Sequence, residues 1–275
     1  MSNTQLYTID VRAFADKEKF DAAYALLPRE RREAIDRCRF EKDKRLSLGA
    51  GYLIDFGLKK LGTGDYRIEK DGHGKPFLAG GALSEPFAGI HFNVSHSGDY
   101  AVCVFSDAPV GVDVERIRPF SPAVIKRVFS ENERSFVKES ISESISESDS
   151  KIVVENDSES IPGKLDLADR LYTLLWTVKE SFVKQSGSGI TTGFGSIESE
   201  NLPGILLAAN VTNESLFVVD DANNVSSFSV HRVTDGSRNE NAITGLFYSD
   251  YALSICMEDA EKLKTINLCI TEVKL

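Results

Sequence analysis

Between residues 165 and 185, Leu171, Leu174, Leu175, Val178 and Phe182 recur three or four apart. That spacing puts apolar side chains on one stripe of an α-helix, and such a stripe needs a partner surface to cover it. Strand-like runs supply candidates at 5–12, 91–94, 100–105 and 110–114, with short extended pieces at 67–70 and 76–79 around the turn Asp71-Gly72-His73-Gly74. From 16 to about 38 the pattern is helical, interrupted at Pro28. Leu46, Ala50, Leu53, Ile54 and Leu61 mark a further helix that should stop at Gly62-Thr63-Gly64, and 121–138 reads as helix again. Residues 205–275 are mostly strand-like, with polar turns at Asn223-Asn224 and Asp235-Gly236.

An internal echo refines this mixture. Asp99-Tyr100-Ala101-Val102-Cys103-Val104-Phe105 resembles Asp250-Tyr251-Ala252-Leu253-Ser254-Ile255-Cys256, and each follows a long helix by some tens of residues. The expected fold class is α+β, with two related halves and the site between them. The expected division is 1–109 for the first half, 110–260 for the second and 261–275 as a C-terminal strand or tail.

Charge is distributed unevenly. The chain of 275 residues carries −10, and 139–169 alone holds nine acidic residues against Lys151 and Lys164, which leaves −3 for the rest. Residues 139–160 contain eight serines and little apolar surface to offset ordering entropy, so about 139–164 is expected to be a flexible surface insertion. A weak helix using Ile141 and Ile145 is the alternative. The opposite bias lies at 29–45, where eight arginines and lysines face five acids. That surface reads as a solvated helix face, an anion site or a dock for an acidic partner. No basic stripe is interleaved with aromatics, so no nucleic-acid partner is expected. Met1-Ser2-Asn3-Thr4 opens no secretory leader pattern, and no stretch approaches the ~20 apolar residues of a spanning helix. The four cysteines, Cys38, Cys103, Cys256 and Cys269, are far apart. A cytoplasmic protein with reduced thiols and no membrane association is therefore expected.

Four short constellations could carry chemistry. In Gly111-Val112-Asp113-Val114-Glu115, alternation places Asp113 and Glu115 on one face while Val112 and Val114 enter the core. Two carboxylates so placed suit a hard divalent ion such as Mg²⁺, or form a half-exposed acidic edge. In Trp176-Thr177-Val178-Lys179-Glu180-Ser181-Phe182-Val183-Lys184, Trp176, Glu180 and Lys184 share one helix face. Glu180 and Lys184 could be a surface ion pair, or could serve a metal, a proton and a phosphate. Asn93-Val94-Ser95-His96-Ser97 could bind phosphate or be a capped turn, and Gly74-Lys75-Pro76 presents a lysine on a stiff turn.

Taken in order, His73-Gly74-Lys75-Pro76, Phe92-Asn93-Val94-Ser95-His96-Ser97, the Asp113 pentapeptide and the 176–184 helix closely resemble the 4′-phosphopantetheinyl transferases of the surfactin (Sfp) type. The likeness reaches upstream to Leu27-Pro28 and to Arg39-Phe40-Glu41-Lys42-Asp43-Lys44-Arg45, covering roughly 25–195. It implies an enzyme, a holo-[acyl-carrier-protein] synthase, that moves phosphopantetheine from coenzyme A to a serine of an apo acyl or peptidyl carrier protein and leaves adenosine 3′,5′-bisphosphate. It also implies two similar α+β halves related by pseudo-twofold symmetry, with the site in their cleft. At matching positions Asp113, Glu115 and Glu180 would bind Mg²⁺, with Mn²⁺ as a substitute, and Glu180 would also be general base. Lys184 would be the catalytic lysine at the phosphates, and Lys75, Ser95, His96 and Arg45 would contact coenzyme A. The expected form is a monomer. The insertion and the segment after about 196 depart from the family pattern. A phosphodiester hydrolase using the same acids and a non-catalytic coenzyme A or carrier-binding module are the rival readings.

Overall fold

Residues 4–63, 66–72, 74–79, 89–149, 167–187, 194–199, 230–234, 241–248, 250–257 and 269–273 are described by a computed structural model. The first strand, β1 (Gln5–Asp10), buries Leu6, Tyr7 and Ile9 and leads through a 3₁₀ turn into α1 (Lys17–Ala25). Asp16 caps α1 by accepting from the backbone N–H groups of Glu18 and Lys19. Pro28 interrupts the helical pattern as read, and α2 (Arg29–Asp36) begins directly after it. The long helix α3 (Glu41–Lys60) ends where Gly62 takes a φ of 80°, as the glycine punctuation requires.

Short strands β2 (Arg67–Lys70) and β3 (Pro76–Ala79) pair only with each other, and β4 (His91–Ser97) and β5 (Tyr100–Ser106) form an antiparallel pair. The strand β6 (Val110–Arg116) then opens a second sheet with β7 (Glu198–Ser199), β8 (Val230–Thr234), β9 (Asn241–Tyr248) and β10 (Tyr251–Met257). Its order is β6-β10-β9-β8-β7. The last strand, β11 (Cys269–Glu272), returns to the first sheet, whose order is β11-β1-β5-β4. There it lies parallel to β1, and Val273 N donates to Thr8 O at 2.8 Å. The described part of the final stretch is thus a strand, and it belongs with the beginning of the chain. Of the expected turns, Asn223-Asn224 and Asp235-Gly236 lie outside the described residues.

The helical stretch expected at 121–138 is two helices. Between α4 (Pro122–Val128) and α5 (Glu131–Asp149), Phe129 is extended and Ser130 starts a new helix. Glu133 N donates to Ser130 Oγ (3.2 Å) and Ser130 N donates to Glu133 Oε2 (2.9 Å), a reciprocal capping box. The helix α5 also carries the chain into the serine-rich segment as far as Asp149, where flexible chain was expected. Its physical basis is tertiary: Val137 and Ser140 are buried, and Phe136 and Ile141 pack on the core that α6 (Leu167–Ser186) covers. Residues 150–166 of the expected insertion lie outside the described residues.

The α3 helix covers the first sheet through Leu48, Leu53 and Leu58 against Tyr7, Ile9 and Phe105. The α6 helix covers the second, its stripe of Leu171, Leu174, Leu175, Val178 and Phe182 fully sealed. Gly111 permits the closest approach: a Cβ there would stand 2.0 Å from Ser181 O and 2.5 Å from Gln185 N, so α6 rests its backbone directly on β6.

The two sheets meet through side chains rather than a backbone ladder. Asn93, Ser95 and Ser97, two apart on β4, face the edge of β6. Val112 N donates to Asn93 Oδ1 (2.9 Å), Val114 N to Ser95 Oγ (3.3 Å) and Arg116 N to Ser97 Oγ (3.1 Å). The seam satisfies edge N–H groups that would otherwise be buried without partners. Beside it the two echoed segments touch, where Asp99 N donates to Tyr251 Oη (2.9 Å) and the Tyr100 and Tyr251 rings meet edge-on at 5.1 Å.

Candidate active site

The seam brings β4, β6 and α6 to one point. Asp113, on β6, is buried, and its Oδ1 accepts from Ser95 Oγ (2.8 Å) and from Lys184 Nζ (2.6 Å). Lys184 also donates to Ser95 Oγ at 3.0 Å, closing a triangle of carboxylate, hydroxyl and ammonium. The other carboxylate oxygen, Asp113 Oδ2, is buried with no hydrogen-bond partner. Val112 and Val114 enter the core on the opposite face, as alternation requires. Glu115, on the same face as Asp113, accepts from Arg118 Nε at 3.1 Å and is partly exposed.

Glu180 lies one helical turn before Lys184 on α6. Burial pushes its carboxyl above the ordinary range, and the nearby charges of Asp113 and Glu115 push the same way against the pull of Lys184. Lys184 therefore spends its charge on Asp113 rather than forming a surface pair with Glu180. The charges of two carboxylates and one ammonium thus all act on the carboxyl of Glu180. Among the described residues, however, no three acid, histidine or cysteine side chains, Asp113, Glu115 and Glu180 included, stand close enough together to hold a metal ion as they are.

The remaining expected residues are distributed around this centre. Burial pushes the His96 imidazole below its ordinary value, followed by the positive charge of Lys184 and, more weakly, that of Arg31. Lys75 reaches from the turn before β3 to the end of α6, donating Nζ to Gln185 O at 2.9 Å, and burial lowers its pKa. Arg45, partly exposed on α3, makes no side-chain hydrogen bond or ion pair among the described residues. Ser95 has committed its one proton to Asp113, so a direct bond from it to a phosphate would have to replace that one.

Several neighbours take roles that the sequence did not assign to them. Arg31 donates Nη2 to Ser47 O (2.8 Å), while its Nε is buried without a partner. Asn93 and Ser97 complete the seam. Lys179, adjacent to Glu180, is wholly buried against Glu133. The Ser130-to-Glu133 spacing was a usable signal for the new helix start, whereas nothing local marks Lys179 as internal.

Carboxylates, lysine and imidazole gathered at a joint between sheets suit an enzyme that handles anionic phosphates. Comparison with known proteins agrees. Residues 109–256 match the family model of the 4′-phosphopantetheinyl transferase superfamily, and residues 15–107 match that of the 4′-phosphopantetheinyl transferase N-terminal region. The chain is 30% identical over 198 residues to 4′-phosphopantetheinyl transferase psf-1 of Bacillus pumilus, covering 70% of this chain and 72% of that protein. It is 26% identical over 190 residues to the Sfp transferase of Bacillus subtilis strain 168, covering 68% and 72%. It is also 31% identical over 162 residues to the L-aminoadipate-semialdehyde dehydrogenase-phosphopantetheinyl transferase of Xenopus laevis, covering 58% and 48%. The chain belongs to the 4′-phosphopantetheinyl transferase superfamily. Its similarity to psf-1 and Sfp places it among relatives of the Sfp type, and it is an enzyme of that class.

Proposed function

We propose that this transferase moves the 4′-phosphopantetheine arm of coenzyme A onto a serine of an apo acyl or peptidyl carrier protein and releases adenosine 3′,5′-bisphosphate. The observation that carries the site assignment is Asp113, with Oδ1 held by Lys184 and Ser95 and Oδ2 buried and free to ligate. Asp113, Glu115 and Glu180 offer the hard oxygen donors that Mg²⁺ or Mn²⁺ prefers, and the negative charges that add to burial in raising Glu180 favour a cation near them. When bound, the ion supplies positive charge against the pyrophosphate of coenzyme A.

The side chains account for the rest. The carrier serine oxygen bonds to the phosphorus bearing the pantetheine arm, while the bond from that phosphorus to the bridging oxygen breaks and its electron pair leaves with the bisphosphate. Glu180 takes the serine proton, a task suited to a carboxylate raised by burial. Lys184 turns part of its charge to the phosphates, and Ser95 keeps Asp113 oriented while lying beside them. Lys75, His96 and Arg45 hold coenzyme A, and the charge of Arg31 near His96 adds to that anion-binding side.

The halves 1–109 and 110–260 are proposed to be similar units with the site in the cleft between them. Matching registers support this. Asp10 lies opposite Tyr100 and Val11 N donates to Asp99 O, while Arg116 lies opposite Tyr251 and Ile117 N donates to Asp250 O. A cytoplasmic, monomeric enzyme is proposed as well, in support of which Cys38, Cys103 and Cys256 are free thiols. No helix among the described residues is long and apolar enough to cross a membrane.

Glu180→Gln tests the mechanism. Turnover on a carrier protein should vanish while coenzyme A still binds by calorimetry. Parent-like turnover in that variant would overturn the role given to Glu180.

A further inference from the structure

Behind the face of α6 that carries Glu180 and Lys184 sits a second pair of charges with no exposure. Lys179 Nζ lies 2.8 Å from Glu133 Oε2, and the two side chains are 0% and 1% exposed. The ammonium donates further to Val128 O (3.1 Å), Phe194 O (3.0 Å) and Ile197 O (2.6 Å), and it stands 5.9 Å from the Phe129 ring centre. Glu133 in turn accepts from Ser199 Oγ (3.1 Å) and from Ser130 N (2.9 Å). One side chain thus gathers the end of α4, the first turn of α5 and the chain segment on either side of Ile197. Burying two full charges is costly, and apolar residues would hold the same elements together at least as well. Such a pair specifies position more than it adds stability. Lys179 and Glu180 are consecutive on one helix, so whatever fixes the rotation of Lys179 also fixes the direction of Glu180.

We propose that Lys179 and Glu133 are positioning residues of this transferase: their buried ion pair locks the rotation of α6 so that Glu180 and Lys184 meet Asp113. The proposal rests on the site reading above. The capping box and the ion pair share Glu133, so the start of α5 and the register of α6 are set by one carboxylate.

The test compares the parent with Lys179→Met/Glu133→Gln, which removes both charges together, and with Glu133→Gln, which leaves Lys179 its three carbonyl acceptors. Unfolding curves first identify the folded variants; if the double variant does not fold, the single one carries the test. Three readouts follow: Mn²⁺ affinity by electron paramagnetic resonance in the presence of coenzyme A, kcat against KM for coenzyme A, and amide exchange across 180–184. A folded variant should bind Mn²⁺ about 10–100-fold more weakly. It should lose kcat with a smaller change in KM, and exchange faster at 180–184. Parent-like Mn²⁺ affinity, kcat and exchange in a folded variant would overturn the proposal. If the parent itself neither bound Mn²⁺ nor transferred phosphopantetheine, the functional reading would fail, and exchange at 180–184 alone would decide the positioning role.

Discussion

Gly111 offers the sharpest mutational test because the obstacle it faces is backbone. In Gly111→Ala the new Cβ would stand 2.0 Å from Ser181 O and 2.5 Å from Gln185 N, whereas ordinary contact begins at 3.4 Å. Neither atom is the end of a flexible side chain, so α6 must move off β6 by about 1.4 Å, the difference between those distances. Overpacking of this kind costs roughly 1–3 kcal/mol, which for a chain of this size lowers Tm by about 2–5 °C. The same displacement parts Lys184 and Glu180 from Asp113. A misplacement of about 1 Å at reacting groups costs on the order of a hundredfold in rate. Thermal unfolding and carrier-modification kinetics, the latter well below the variant's Tm, measure the two effects separately. Parent-like values of both would refute the close approach. A lowered Tm with full turnover would refute the claim that α6 must sit where it does for catalysis.

Further outcomes follow from the seam and the carboxylate cluster. Asn93→Ala removes the acceptor of Val112 N and leaves that N–H buried, so chemical denaturation should show a loss of about 1–3 kcal/mol; an unchanged midpoint would mean the seam contributes nothing. A carboxyl whose folded pKa lies above its unfolded one weakens the fold at neutral pH, and the penalty fades as pH falls through the folded value. Glu180 is such a group in the metal-free protein. With EDTA present, Glu180→Gln should therefore melt above the parent at neutral and alkaline pH, and the gap should close as pH is lowered through the raised folded value into the ordinary carboxylate range. A gap that is constant or widens on acidification would contradict the crowding assigned to Glu180.

Local pattern carried much of this architecture. The strands bearing Val102 and Asp113, and the helix bearing Glu180, fall where alternation and the three-to-four spacing put them. Ser95-His96-Ser97, expected in the connection after a strand at 91–94, instead continue β4, because their partners on β5 and the edge of β6 extend the pairing. Asp113 and Glu115 share a face because a strand alternates, and that needs no tertiary knowledge. The extension of α5 to Asp149 follows the alternative of a helix through Ile141 and Ile145 rather than the flexible chain that serine and glutamate composition favours, because Phe136, Val137 and Ile141 have a partner that only the fold supplies. The break at Phe129 is legible in Ser130-Glu131-Asn132-Glu133, whose serine-to-glutamate spacing is that of a capping box. By contrast, the parallel pairing of β11 with β1 joins residues at opposite ends of the chain, and neither strand signals the other. Lys179 reads locally as one more surface lysine; its burial depends on carbonyls from three separate segments. The bond from Ser95 to Asp113 likewise arises from two strands meeting side by side, which gives the serine a role toward the carboxylate before any toward a phosphate.

The central claim is that Asp113, Glu115, Glu180 and Lys184 form one centre for phosphopantetheinyl transfer to a carrier protein. Intact-mass spectrometry of an apo carrier protein incubated with this enzyme, coenzyme A and Mg²⁺ tests it most directly, run beside EDTA and Asp113→Asn controls. The account predicts the mass gain of one phosphopantetheine on the carrier serine, lost in both controls. A gain that persists in EDTA or in folded Asp113→Asn would contradict it, as would no gain on any acyl or peptidyl carrier by a folded enzyme that binds coenzyme A.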